Sequence, residues 1–255
     1  MNARMKAKQA DSAAATAPLS VWERMAQPTP APRPGLTLGR IAEVALGIAD
    51  ADGLAAVSMR RLAEGLGVSA MTCYRYVTGK DEIIELMLDD VRREMLLDDL
   101  PGDWRGVLRA SALRFREVVL RHPWMTDVPG RILFAPTPAY LALSEQLFAA
   151  LHRLGLDLDR IADVTGAVTA YARAGTHDEI TRTRLRTPEG WSSSQDARDA
   201  NRERLIRLLD NGDYPVYRKF VREGAPQGDE RARFEFGLDC LLDGISARPD
   251  IPAAG

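Results

Sequence analysis

The residues whose types and spacing suit a chemical task gather between Ser58 and Lys80. Ser69 and Thr72 put two hydroxyls one helical turn apart, directly after a Gly67-Val68-Ser69 turn. Hydroxyls and the free N–H groups of a first helical turn can meet phosphate. Lys80, opening the next helix, adds a cation near a nucleic-acid backbone. Between them Cys73, Tyr76 and Val77 are spaced i, i+3, i+4 and would face inward, whereas Ala70, Met71, Tyr74 and Arg75 would face outward. A short helix held by one face and free on the other is what the major groove of DNA admits.

Other chemistries find less support. No serine sits in a nucleophile-elbow context with His and Asp partners, no glycine loop cradles phosphate, and no Cys–His cluster occurs. An enzyme is therefore not expected, although a site assembled from distant residues stays an alternative. The histidines are His122, His152 and His177. The run His177-Asp178-Glu179 invites a metal reading, but adjacent residues on a helix point in different directions. We expect no metal and no cofactor. Cys73 and Cys240 form no spacing motif, so a disulfide framework or thiolate zinc site is not expected and a reducing cytoplasm fits.

The elements that must position the Ser58–Lys80 residues read as helices. Ile41, Val44, Ala45, Ile48 and Ala49 make one apolar stripe behind a Thr37 cap and before Gly53. Ser58 caps a second helix with Met59, Leu62, Ala63 and Leu66 on one face, and Gly67 ends it. Ser69 caps a third, reaching about Val77. Thr78, with Asp81 three residues on, resembles a capping box for a fourth that carries Ile83, Ile84, Met87, Leu88 and Val91. Further helices are expected over Trp104–Arg121, Pro138–Leu154, Leu158–Arg186, Asp196–Asp210 and Glu230–Ala247, with caps at Asp103 and Asp157 and with Pro138 at a first helical position. His122–Thr137 and Thr187–Gln195 read as loops. The fold class is all-α. Three amphipathic helices with a glycine turn also occur in bundles that bind no DNA, so periodicity alone leaves both readings open.

Composition bounds the rest. The chain has 255 residues and a formal net charge of −2, which excludes a wholly basic nucleic-acid coat but not a local cationic face. Between Thr37 and Ile83, Arg40, Arg60, Arg61, Arg75 and Lys80 stand against Glu43, Asp50, Asp52, Glu64, Asp81 and Glu82, so this segment is not basic either. Residues 1–35 are rich in Ala, Pro, Ser and Thr and read as a disordered or extended arm. Within the arm, Leu19–Met25 could form a short docking turn. Its Arg4, Lys6, Lys8, Arg24 and Arg33 outnumber Asp11 and Glu23, and a basic arm can reach along DNA. We read no secretory signal, and no uncharged stretch approaches the roughly 20 residues that span a bilayer.

The run Ser58-Met-Arg-Arg-Leu-Ala-Glu-Gly-Leu-Gly-Val-Ser-Ala-Met-Thr-Cys-Tyr-Arg-Tyr-Val-Thr-Gly-Lys-Asp81 closely resembles the TetR family of bacterial regulators. Members show Leu-Gly-Val-Ser, then Thr-x-Tyr-x-x-Val/Phe, then a Lys ahead of the fourth helix. The likeness covers about residues 37–90, and Phe236-Gly-Leu-Asp-Cys-Leu-Leu-Asp-Gly244 is similar, more loosely, to the C-terminal domain of the tetracycline-repressor branch. The resemblance implies a helix-turn-helix domain over 36–83, linked by helix to about 94, and a helical ligand-sensing and dimerisation domain over 95–255. It implies that Thr72, Tyr74 and Lys80 grip the DNA backbone, with Tyr74 also touching a base, and that Ala70 and Met71 probe base edges. Both are apolar here, which favours thymine methyl groups over bidentate hydrogen bonds. Arg75 and Arg60 are either supplementary phosphate contacts or solvated surface.

For the second domain the resemblance implies a four-helix dimer interface from two C-terminal helices of each subunit. The candidates are the small-residue stripe Gly166, Ala170, Ala174 and the apolar stripe Phe234, Leu238, Leu241, Leu242, Ile245; the alternative is that both stripes are intramolecular core. The effector site is placed among the middle helices, where Trp124, Phe134, Tyr140, Phe148 and Tyr171 are the aromatic candidates. The tetracycline-repressor branch holds a drug–magnesium chelate through a loop histidine, and Asp127–Pro136 contains none. A different, metal-free, largely apolar effector is expected. The resulting expectation is a cytoplasmic, homodimeric, ligand-responsive regulator, most often a repressor in this family, on double-stranded operator DNA. The rival is a ligand-sequestering module without DNA binding.

Overall fold

The computed structural model describes residues 20–26, 36–185, 202, 204–223 and 229–251. Among them all regular structure is helical. The order is α1 (Val21–Ala26), α2 (Leu38–Asp52), a 3-10 turn (Leu54–Ala56), α3 (Met59–Leu66), α4 (Ala70–Tyr74), α5 (Lys80–Arg93) and α6 (Trp104–Arg121). A 3-10 turn (Pro123–Asp127), α7 (Gly130–Leu133), α8 (Pro138–His152), α9 (Leu158–Leu185), α10 (Pro215–Glu223) and α11 (Glu230–Ser246) complete it.

The chain forms two compact units, Met1–Asp90 with Val128–Leu141, and Val91–Asp127 with Ala142–Gly255. The first is therefore larger than the 36–83 segment, linked by helix to about 94, that the resemblance implies. It takes in α1 and the segment 128–141, and the divisions fall inside α5 and α8.

In the first unit α2 starts where the Thr37 hydroxyl accepts from the Arg40 N–H at 3.1 Å, and it buries Ile41, Ala42, Ala45 and Ala49. The Ser58 hydroxyl does the same for α3, which buries Leu62 and Ala63. A Cβ on Gly65 would lie 2.7 Å from a Val44 methyl, so the missing side chain lets α3 approach α2 closely. Ile83, Ile84, Met87 and Leu88 bury the inner face of α5. Asp89, fully buried on that helix, accepts from the Ala139 N–H at 2.7 Å, and the Thr137 hydroxyl accepts from the Tyr140 N–H. These side chains serve donors that the start of α8, with Pro138 in its first position, cannot satisfy internally.

Three sequence expectations need correction here. Residues 20–26 are a packed helix, not an extended arm: Ser20 and Glu23 cap each other's N–H groups and Val21 is fully buried. The remainder of the 1–35 arm lies outside the described residues. The expected loop His122–Thr137 contains a 3-10 turn and α7, too short for helical periodicity to reveal. Helix α10 was not expected, although Val216, Tyr217, Phe220 and Val221 recur at i, i+1, i+4 and i+5 as one amphipathic stripe; Val216, Tyr217 and Phe220 are exposed. Of the expected Asp196–Asp210 helix, the described positions 202 and 204–210 are helical, and the Thr187–Gln195 loop lies outside the described residues.

The second unit packs α6, α9 and α11 around Val107, Leu108, Ile161, Val168, Leu238 and Leu242. Asp103 and Asp157 cap α6 and α9 as expected, accepting from the Gly106 and Arg160 N–H groups. Glycines set the α9–α11 distance. A Cβ on Gly175 would press on the Phe234 ring at 3.1 Å, and one on Gly237 would meet the Tyr171 hydroxyl. That hydroxyl donates to the Phe234 carbonyl at 2.7 Å. Arg116 of α6 and Glu179 of α9 form a two-pronged pair at 2.8 and 2.7 Å, their side chains 13% and 11% exposed. The Arg116 guanidinium lies 5.7 Å over the Phe234 ring.

Removing one partner of such a pair strands a largely buried charge, whereas removing both does not. Arg116→Met alone should lower stability by about 3 kcal/mol, and Arg116→Met with Glu179→Leu should recover most of that loss. Urea titration of the three proteins reads both outcomes.

Candidate nucleic-acid interface

Helix α4 is five residues long and is built from its ends inward. Gly67 closes α3 at φ 66 and ψ 30, the left-handed region, and its N–H reaches the Ala63 and Glu64 carbonyls. Two residues later the Ser69 hydroxyl accepts from the Thr72 N–H at 3.2 Å and lies 2.9 Å from the Thr72 hydroxyl. The inner face is Cys73, 0% exposed, and Val77. Burial pushes the Cys73 thiol above its ordinary value, so it acts as a small apolar group.

The outer face carries Met71, 73% exposed, and Tyr74, 53% exposed, with Arg75 beside them. Ala70 and Thr72 are half-buried at their margin. Met71 and Tyr74, three residues apart, share one solvent-facing side of a helix whose other side is fully packed. Tyr76 departs from expectation. It is exposed, because the helix ends at Tyr74 and Arg75 closes the turn before a further helical step could carry Tyr76 inward.

The charges are less free than the sequence suggests. Arg40 pairs with Glu43, Arg60 with Glu64 and Arg61 with Asp52. Arg24, counted in the basic arm, holds Glu82 with both Nη atoms at 2.9 Å. Lys80 sends its ammonium to the Leu54 carbonyl at 3.0 Å and is half-buried. Two of its three donors remain for phosphate. Among the described residues Arg75 has no ion-pair partner, which makes it the most available cation beside the outer face of α4.

The cap of α5 also differs in detail. The Thr78 N–H donates to Glu82 at 2.8 Å, four residues on, rather than to Asp81; Asp81 instead pairs with Arg131. Leu19–Met25, expected as at most a short docking turn, is a capped helix from Val21, and the Ser20-Val-Trp-Glu23 capping-box spacing is the signal that the sequence held for it.

The other sequence candidates fall as follows. Trp124 is buried in a 3-10 turn, its ring edge-on to His122 at 6.3 Å. Tyr171 packs on Phe234 at 5.3 Å. Phe148 and Phe134 are exposed and Tyr140 is half-buried. Phe134 and Tyr140 belong to the first unit and the other three to the second, so neither unit gathers all five. Gly166, Ala170 and Ala174 all lie on the exposed face of α9. Phe234, Leu238, Leu242 and Ile245 do not form an outward stripe. They are buried in the core of their own chain, with Leu241 half-buried against it, because α11 turns its most apolar face to α6 and α9. The outward face of α11 carries Phe236, Cys240 and Gly244. In the run His177-Asp178-Glu179, Glu179 turns inward to Arg116 while the other two face solvent.

A capped three-helix unit with an exposed Met71–Tyr74 face, joined in one chain to a second helical unit, is the arrangement of helix-turn-helix regulators. Residues 98–248 match the family described as tetracyclin repressor-like, C-terminal domain. The chain is 34% identical over 234 residues to the HTH-type transcriptional repressor DrrR1 of Streptomyces coeruleorubidus, covering 88% of this chain and 83% of that one. It is 31% identical over 247 residues to an HTH-type transcriptional regulator of Saccharopolyspora erythraea, covering 95% and 98%. Its fold is similar to that of the Streptomyces coelicolor TetR family protein ActR, solved with actinorhodin and also with (S)-DNPA. The actinorhodin complex superposes with TM-score 0.64 at 25% identity, over 84% of this chain and 96% of that one. The chain belongs to the TetR family and is a DNA-binding transcriptional regulator. Among its described residues no helix is long and apolar enough to cross a membrane.

Burial pushes the Glu82 carboxyl up, but Arg24 and the Thr78 N–H outweigh it and hold the group below its ordinary value of about 4.5. A carboxylate depressed in the folded state contributes stability that is present above its unfolded value and is lost as pH falls through the folded one. The stability difference between wild type and Glu82→Gln should therefore be largest near neutral pH and shrink towards zero in acid. Urea midpoints measured across pH check this.

Proposed function

We propose that the protein is a cytoplasmic repressor that binds a palindromic operator as a homodimer and is released by a small, largely apolar effector. One observation carries the DNA-reading part: α4 buries Cys73 and Val77 completely while leaving Met71 and Tyr74 in solvent. With α4 in the major groove, Ala70, Met71 and Tyr74 reach base edges and favour thymine methyl groups. Ser69, Thr72, Arg75 and Lys80 meet the backbone at the start and end of the helix.

One such helix reads too little sequence for strong discrimination, and a two-fold dimer doubles the reading. The exposed small residues Gly166, Ala170 and Ala174 of α9, with Phe236, Cys240 and Gly244 of α11, suit close packing against the same helices of a second copy. The effector is proposed by analogy with ActR, whose complexes hold small organic molecules. Repression is supported by the relatives named as repressors.

Selection of bound fragments from a random DNA pool tests the reading directly: a palindrome with half-sites about one helical turn apart is expected. Absence of enrichment would leave the sequestering alternative. On the selected site, Tyr74→Ala should weaken binding by about 1–3 kcal/mol. Arg75→Ala should weaken all DNA binding and reduce the slope of log K against log salt by about one for each subunit.

Ala170→Glu places a charge in the proposed small-residue seam. It should convert a dimer, seen by light scattering at micromolar concentration, to a monomer of unchanged helicity.

A further inference from the structure

Helix α1 has no assigned role, and its contacts converge on the joint behind the reading helix. Ser20 and Glu23 fix its first turn and Val21 is buried, so α1 is anchored rather than draped. From this anchored turn Arg24 delivers both Nη atoms to the two Glu82 oxygens at 2.9 Å. Glu82 is 14% exposed on its side chain and simultaneously accepts the Thr78 N–H at 2.8 Å. Thr78 follows Val77, the last buried residue behind α4. A single carboxylate thus ties α1 to the backbone segment between α4 and α5. Two-pronged Arg–carboxylate contacts fix orientation as well as distance, so the carboxylate has one rotamer from which to hold Thr78.

We propose that α1 is a strap that sets the pose of α4, and that Arg24 is a positioning residue for operator recognition that acts through Glu82 and touches no DNA. This rests on the assignment of α4 as the reading helix. It runs against the plain reading of Arg24 as one more cation of a DNA-reaching arm. The two readings separate by experiment. A phosphate contact contributes to every DNA sequence alike and to the salt slope. A positioning contact contributes to the specific site, where the fit of α4 matters, and leaves the slope and non-specific affinity alone.

The test uses the full-length protein, the selected operator and an unrelated duplex of equal length, with Arg24→Met, Glu82→Gln and the double variant. Gln at 82 keeps an acceptor for Thr78 but loses the charged pair. Arg24→Met is expected to weaken operator binding about tenfold, with non-specific affinity and salt slope unchanged. The double variant should be no weaker than the worse single one, since residues acting as a unit do not add. Arg24→Lys, which keeps the charge with one prong, should restore part of the loss. A fall in salt slope of about one for each subunit, losses that multiply, or unchanged operator affinity would each overturn the proposal.

Amide hydrogen exchange without DNA keeps the inference separable from the function on which it rests. Arg24→Met should speed exchange at Val77 and Thr78 while the α9 amides stay as in wild type. If wild type selects no operator, the DNA-reading assignment fails, and faster exchange at those amides would still establish the strap. Unchanged exchange would remove it.

Discussion

A five-residue helix cannot hold itself together in water, because nucleation costs more than so few hydrogen bonds return. Everything α4 can do therefore depends on the burial of Cys73 and Val77, and on the left-handed Gly67 that lets α3 stop and α4 start at an angle within three residues. Gly65 contributes from behind by letting α3 sit close to α2. Once the inner face is fixed, the outer face carries no packing duty, and Met71 and Tyr74 stand in solvent there.

The same dependence explains how charge is used. A reading unit with few surplus cations would gain little by scattering them, and most are spent internally. Arg40, Arg60 and Arg61 pair on the surface, and Arg24 fixes Glu82. Exposed pairs of this kind add little stability, about 0–1 kcal/mol each. Their larger effect is to cancel the long-range field of this segment, while Arg75 stands outside any ion pair among the described residues. A segment without net positive charge has little general affinity for DNA, so its binding has to rest on fit rather than on charge.

How much of this was legible in the sequence follows from where the physics is local. Caps and periodic stripes depend on residues three or four apart, and Thr37, Ser58, Ser69, Asp103 and Asp157 all cap as their spacing suggests. The Gly67 turn was legible for the same reason. What was not legible is partnership across the chain. Nothing in the sequence says that Lys80 meets the Leu54 carbonyl, that Glu82 rather than Asp81 takes Thr78, or that Arg24 crosses to α5. Periodicity on α11 found the right stripe but not its direction: an apolar face reads the same whether it meets its own chain or another.

That ambiguity sharpens the reading of the second unit. With Phe234, Leu238, Leu242 and Ile245 consumed by the core, whatever α11 offers outward is Phe236 flanked by Cys240 and Gly244. On α9 the outward residues Gly166, Ala170 and Ala174 are smaller still. Helices that expose small residues at every fourth position gain little by facing water, since they bury nothing and carry no charge there. They gain most where another helix can approach its backbone to theirs, because close approach multiplies dispersion contacts along the whole seam. The glycines between α9 and α11 show this chain already using that device internally at Gly175 and Gly237. A second use of it on the opposite faces would suit close approach of another helix pair without adding a large apolar patch to this unit.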